Sequence, residues 1–268
     1  MHQLPISTKL MTTVVDLARK AGTAVLSAYS EMAHNDAVFA TQKADGSPLT
    51  KADLEAHQII SAGLTALTPS IPAVSEEDAP SLAHRTPTGI FWLIDPLDGT
   101  KEFLALNDEF TVNIALIRNG QPVFGVVVAP ALDLTYWGAV GHGAWRIFAG
   151  TSEQIKISPL PDILRIVASK SHLNAETFSY IEQLGSHVLL RVGSSLKFCR
   201  IAEGNADLYP RLAATCEWDT AAAQAVLEAA GGHVFSLDGN RLRYGKPSFL
   251  NPYFIASSSE FDGLQHPE

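Results

Sequence analysis

Two carboxylates, Asp95 and Asp98, stand three residues apart in Asp95-Pro96-Leu97-Asp98-Gly99-Thr100, with a proline between them. Before them, Ile90, Phe91, Trp92, Leu93 and Ile94 are apolar or aromatic without a break, which predicts a buried strand. The acids and the proline are expected to stop that strand at Asp95, and a bend there can aim both carboxylates at one point. Carboxylates with a backbone carbonyl form a donor set for a hard divalent cation. The N–H groups of Gly99 and Thr100, at the start of a short helix, would suit a phosphate. A cation site beside a phosphate cradle is the outline of phosphoryl-transfer chemistry. The ordinary reading is a turn, since Asp-Pro and Asp-Gly are common turn dipeptides. That reading accounts for either aspartate alone but not for the whole string.

Other residues could join this chemistry, and each has a plain alternative. Ser75-Glu76-Glu77-Asp78 follows a short apolar segment; three adjacent acids are usually a solvated face. Glu76 and Glu77 would point opposite ways in an extended chain, so they would not serve one ion equally. Thr50 with Asp53 three later resembles a capping box, which would explain Asp53 structurally. Asp219 follows Trp218 and opens a helix, where an N-cap is the ordinary role. Gly193-Ser194-Ser195-Leu196-Lys197 is a small-residue turn into a helix whose N–H groups and Lys197 could bind a phosphate. Tyr209-Pro210-Arg211 could stack on a base and pair with a phosphate, or end a strand with a solvated arginine. His172 in Ser169-Lys170-Ser171-His172 would, taken alone, be a surface histidine.

The string DPLDGT resembles the signature of the inositol monophosphatase superfamily. WLIDPLDGTKEF, with SEED upstream and GSSLKFC and WDTAA downstream, resembles its bacterial 3'(2'),5'-bisphosphate nucleotidase branch, the CysQ type, from about Asp16 to Asn251. The resemblance implies a Mg²⁺-dependent phosphomonoesterase with two or three ions per site. Glu76, Asp95, Asp98, Asp219 and the Leu97 carbonyl would hold them. Thr100, hydrogen-bonded to Asp53, would activate the attacking water; KADGSPLTKAD is similar to the segment that supplies that aspartate. Asp53, Thr100 and Glu76 are then the catalytic group. Gly99, Thr100, His172, Gly193, Ser195, Lys197, Arg211 and Asp219 would contact the substrate. That substrate would be 3'-phosphoadenosine 5'-phosphate, cleaved to AMP and phosphate, with its 5'-sulfated analogue as a further candidate and lithium as an inhibitor. The alternatives are an inositol or other sugar phosphate on the same machinery, or a non-catalytic sensor of a phosphorylated nucleotide. Leu212 to Glu217, LAATCE, departs from the expected Gly-Pro loop and leaves base recognition open.

The composition fits. The 268 residues are 46% hydrophobic and 18% charged, with a formal net charge of −9. Such acidity argues against nucleic-acid binding. It conflicts with an anionic substrate unless a cation inverts the local field. No apolar run reaches the roughly 20 residues of a membrane helix. The start, MHQLPISTKL, lacks the pattern of a signal peptide. Cys199 and Cys216 form neither a disulfide framework nor a metal spacing, and Cys199 reads as core. A cytoplasmic enzyme is expected; a surface patch would suffice for peripheral association with an inner membrane, so that alternative stays open. Oligomeric state is not legible.

The elements that must position these residues fall into two sub-domains, 1–155 and 156–268. The first reads as α+β: amphipathic helices over Thr8–Tyr29 and Thr50–Leu67, a loop at Ala44–Pro48, then antiparallel strands at 110–117, 123–129, 134–140 and 144–148. The second alternates strand and helix as an α/β unit: strands at 163–169, 188–192, 207–209 and 233–237, with helices at 175–184, 194–203 and 219–230. With the resemblance, this implies a layered αβαβα sandwich whose active site lies between the sub-domains.

Overall fold

A computed structural model describes residues 6–34, 40–42 and 48–259. The first helix is α1 (Thr8–His34), which buries Met11, Val14, Ala18, Ala21 and Val25 along one stripe, as the three-and-four spacing requires. Strands β1 (Ala40–Gln42) and β2 (Pro48–Thr50) form a small antiparallel ribbon. Of the expected loop at Ala44–Pro48, residues 44–47 lie outside the described residues and Pro48 opens β2. Helix α2 (Lys51–Leu67) opens with the expected capping box: Thr50 caps the Asp53 N–H, and Asp53 accepts from the Thr50 N–H.

A seven-stranded sheet follows, from β3 (Ala73–Ser75), β4 (Ile90–Asp98), β5 (Thr111–Arg118), β6 (Gln121–Ala129), β7 (Leu134–Ala139), β8 (Gly143–Phe148) and β9 (Thr151–Ile155), in that spatial order. Helix α3 (Thr100–Leu104) leaves the end of β4. All neighbours are antiparallel except β3 and β4. The sequence did not signal β9: its residues Thr151 to Gln154 are polar and exposed at the sheet edge.

The remaining strands form a five-stranded mixed sheet in the order β11-β10-β12-β14-β13. They are β10 (Leu164–Ser169), β11 (His187–Val192), β12 (Leu208–Arg211), β13 (His233–Ser236) and β14 (Phe254–Ser257). Between them run α4 (Ala175–Gln183), α5 (Leu196–Ala202) and α6 (Glu217–Ala229). β14 also went unread, because four residues near the chain end carry almost no periodic signal.

Three apolar clusters define the layers. Helices α1 and α2 pack on one face of the large sheet. Helices α5 and α6 fill the space between the two sheets. Helix α4 covers the outer face of the small sheet through Tyr180 and Ile181. The order helix, sheet, helix, sheet, helix is the expected layered fold. The middle contact is very close: a Cβ added to Gly125 of β6 would lie 2.2 Å from the Ala222 carbonyl oxygen of α6. Glycine there and at Gly138, with alanines on α6, lets the helix sit on the sheet.

Candidate active site

The site begins at the ends of β3 and β4. Because these strands are parallel, with Ser75 beside Ile94, the residues that follow them emerge side by side. The Glu76 N–H donates to the Ile94 carbonyl oxygen at 3.2 Å, which places Glu76 next to Asp95. Strand β4 does not stop at Asp95 as expected. It pairs Asp95 with Asn113 and resumes with Asp98 opposite Thr111. Pro96 and Leu97 thus face the single residue Val112, so the proline is absorbed in a β-bulge. The bulge re-aims the carboxylates, and Asp95 Oδ1 accepts from the Leu97 N–H at 3.1 Å.

Asp219 arrives from the opposite side. It is the third residue of α6, not its N-cap; Cys216 is the cap, and Asp219 Oδ2 accepts the Cys216 N–H at 2.8 Å. Oxygen atoms of Glu76, Asp95 and Asp219 all lie within 4.8 Å of one another. Glu77, the alternative to Glu76, is not in that cluster. Burial, with Asp98 and Glu76 nearby, pushes the Asp219 carboxyl well above the usual range. Three carboxylates this close repel unless protons or a cation neutralise them, so the donor set fits a hard metal ion.

Asp98 sits beside this cluster. Its Oδ2 accepts from Ser195 Oγ at 2.9 Å, and Ser195 also receives Asn113 Nδ2 at 2.8 Å and lies against the Asp219 carbonyl oxygen at 3.0 Å. Ser195, expected to contact the substrate, is buried and ties Asp98 to α6. Gly193 also differs from expectation. Its N–H donates to Glu109 Oε2 at 3.1 Å, and a Cβ there would lie 2.6 Å from the Glu109 carbonyl oxygen. Its role is close packing, with no N–H left for a phosphate.

Above the acids opens a cleft of about 300 Å³. Its lining includes the acids Asp98, Glu102 and Asp219, the basic side chains of Lys101, His172, Lys197 and Arg211, and Gly99, Thr100 and Ser194. Gly99 takes a left-handed conformation, φ 86°, that glycine accommodates without strain. Lys197 is buried, its ammonium donating to the Ser194 carbonyl oxygen and lying 5.4 Å from the centre of the Tyr209 ring. Burial lowers its pKa to about 8, against the attraction of Asp98. Burial likewise raises Asp98, so within this pair desolvation outweighs mutual attraction on both sides. His172 Nε2 lies 2.8 Å from Lys101 Nζ, and burial with that neighbour lowers the imidazole pKa. Arg211 donates to the Ala214 carbonyl oxygen at 3.2 Å. Tyr209 packs edge-on against Phe198 and Phe254, so its ring is core and does not offer a face for a base.

The expected Thr100–Asp53 hydrogen bond is not formed. Thr100 Oγ1 donates to the Leu97 carbonyl oxygen at 3.2 Å, while Asp53 Oδ2 accepts both the N–H and the hydroxyl of Thr50. Capping α2 holds Asp53 where it is. Lys101, Glu102 and Glu109 went unread: Glu102 accepts from Ser171, and Glu109 from Lys170 and Gly193. Lys101 and Glu102 stand inside the motif string, but only as helix formers; Glu109 carried no signal. Cys199 is buried core as expected. No helix of the described residues is long and apolar enough to cross a membrane.

Comparison with known proteins agrees with this geometry. The model of the inositol monophosphatase family matches residues 7–265. The 3'(2'),5'-bisphosphate nucleotidase CysQ of Escherichia coli (strain K12) is 48% identical over 249 residues, 92% of this chain and 99% of that protein. The crystal structure of CysQ from Bacteroides thetaiotaomicron, described as a bacterial member of the same family, is 40% identical with a TM-score of 0.81 over 94% of this chain and 98% of that one. A Thermotoga maritima IMPase at 24% identity shares the fold, with a TM-score of 0.73 over 92% of this chain and 91% of its own. The bulged acidic strand end, the opposing helix of Asp219 and the five layers around them belong to a chain that is a member of the inositol monophosphatase family.

Proposed function

We propose that this enzyme is a Mg²⁺-dependent 3'(2'),5'-bisphosphate nucleotidase that converts 3'-phosphoadenosine 5'-phosphate to AMP and phosphate. The observation that carries the reading is a carboxylate cluster, Glu76, Asp95 and Asp219, that shares Asp219 with a cleft also lined by Lys101, Lys197 and Arg211. The 48% identity to a nucleotidase of this specificity supports the substrate class. Glu76, Asp95, Asp219, Asp98 and the Leu97 carbonyl oxygen would hold two or three ions, and an all-oxygen donor set suits Mg²⁺. When bound, such ions supply Lewis-acid stabilisation of phosphoryl charge and a more acidic water.

The chain's own residues do the rest. Lys197 and Arg211, which line the cleft, give an anionic substrate its counter-charges, and His172, its pKa lowered by burial and by Lys101, offers a hydrogen bond and no charge. A substrate with two phosphates can place one at the carboxylate cluster and the other against these cations. Thr100 lines the cleft with its proton committed to Leu97, so its oxygen is an acceptor able to hold and orient a water. We therefore assign the orienting role to Thr100 and leave Asp53 as the cap that sets α2 behind it. In the reaction the water oxygen bonds to phosphorus, the bond from phosphorus to the 3' oxygen breaks, and the departing oxygen takes up a proton. Cys199 and Cys216, neither of them in a disulfide, suit the reducing cytoplasm, where we place the enzyme.

Phosphate release from 3'-phosphoadenosine 5'-phosphate, its 5'-sulfated analogue and inositol 1-phosphate, with Mg²⁺ or EDTA, tests this. The nucleotides should be preferred, and EDTA should abolish release. Asp95→Asn should lower kcat by at least about a hundredfold, the scale on which one buried electrostatic group matters. Equal turnover of inositol phosphate would overturn the nucleotide assignment, and full activity in EDTA the metal assignment.

A further inference from the structure

The last residue of the divergent 212–217 segment, Glu217, has no part in the reaction described above, yet its side chain is fully buried. It accepts from two cations and two backbone groups. Arg85 reaches Oε2 at 2.9 Å, and Lys246 Nζ reaches Oε1 at 2.7 Å. The N–H groups of Gly245 and Lys246 donate at 3.0 Å each, to Oε2 and Oε1. A carboxylate with four donors is well compensated for the loss of water. Position gives it meaning. Glu217 is the first residue of α6, two before Asp219. Arg85 closes the 3₁₀ helix Ala79–His84, which leads back to Glu76: the Ser75 N–H donates to Ser81 Oγ at 3.0 Å within that segment.

We propose that Glu217 is a positioning residue for the metal cluster, setting the distance between Glu76 and Asp219. Glu76 comes from the large sheet and Asp219 from the middle helical layer, so their spacing depends on how the two are tied. The Glu217–Arg85 pair is a direct tie between the two segments, made of charged, nearly water-free groups. It is reinforced by Phe249, whose ring stacks on Trp218 at 5.2 Å and lies 5.8 Å from the Arg85 guanidinium. Lys246 meets the same carboxylate, and its carbonyl oxygen also accepts from Arg85 at 3.2 Å. A change confined to the Lys246 side chain leaves the Arg85–Glu217 pair and that backbone bond in place, so substitution separates the two arms: one spans the cluster, the other steadies the carboxylate.

This inference rests on the proposed metal site, and the test keeps the two apart. Mg²⁺ binding is titrated by calorimetry on the full chain and on Glu217→Gln, Arg85→Met and Lys246→Met, with Tm in EDTA measured for each. Groups that orient metal ligands change affinity by about ten- to a hundredfold when altered. Arg85→Met and Glu217→Gln should show such a loss, with kcat falling more than KM changes at fixed Mg²⁺. Lys246→Met should stay near wild type in Mg²⁺ affinity, even where its Tm falls. If Glu217→Gln does not fold, Arg85→Met alone decides. Wild-type Mg²⁺ affinity in folded Arg85→Met, or an equal loss in Lys246→Met, overturns the positioning role while leaving the metal site. No Mg²⁺ binding by the wild-type chain overturns the metal reading and this one with it.

Discussion

Asp98 and Lys197 show how burial, not pairing, sets the chemistry of single groups here. The ammonium of Lys197 is held down to about 8 because it is out of water. Below that pH it is a cation that can hold an anionic substrate; above it the group is neutral. kcat/KM should therefore fall as pH rises through about 8, and Lys197→Met should lower the plateau and remove that limb. A limb that survives the substitution would belong to another group. The stability sign is the reverse. The folded pKa lies below the unfolded value, so the cost of the buried charge is fully present below about 8 and is relieved as pH rises toward the unfolded value. At this scale the acids were legible, because Glu76, Asp95, Asp98 and Asp219 sit in short strings with few ordinary explanations. The bonds of Gly193 and Ser195 were not legible, because their partners Glu109, Asp98 and Asn113 are distant in the chain and decide where an N–H or hydroxyl is spent.

The same contrast recurs in the elements. Hydrophobic period located α2 and the strands β5 to β8 to within two residues at each end, since each buries one whole face or both, whereas α1 runs five residues past the expected Tyr29, to His34. The bulge in β4 was invisible: Pro96 reads as a stop, and only pairing with β5 shows that the strand resumes. The short or polar strands β9 and β14 exist because a neighbouring strand offers them hydrogen bonds. Close approach of β6 to α6 is another element property. Gly125→Ala would drive a Cβ into the Ala222 backbone, and should destabilise the fold by about 1–3 kcal/mol, read as a lower midpoint in urea unfolding. It should also lower Mg²⁺ affinity, because α6 carries Asp219. Unchanged affinity in a folded variant would mean that the helix end is held independently of its seat on the sheet.

For the molecule as a whole, a net charge of −9 and a cluster of mutually repelling acids make the fold a receiver of cations. Binding to the folded state alone stabilises it by mass action, about 2.7 kcal/mol at a hundredfold excess over Kd. For a chain of this size that is roughly 5–10 °C in Tm. Mg²⁺ should raise Tm by that order, EDTA should cancel the rise, and Asp95→Asn should respond to neither. A Tm that ignores Mg²⁺ would contradict the site. What the sequence determined by itself was the kind of chemistry and the kind of layers, because residue type and periodicity act over a few neighbouring residues. Tertiary structure alone decided which oxygen meets which proton: that Asp219 spends one oxygen on Cys216, that the Thr100 hydroxyl donates to Leu97, and that Glu217 joins two segments 132 residues apart. Hydrogen bonds are directional and short, so their partners are chosen only when the layers have closed and distant segments compete for the same donor.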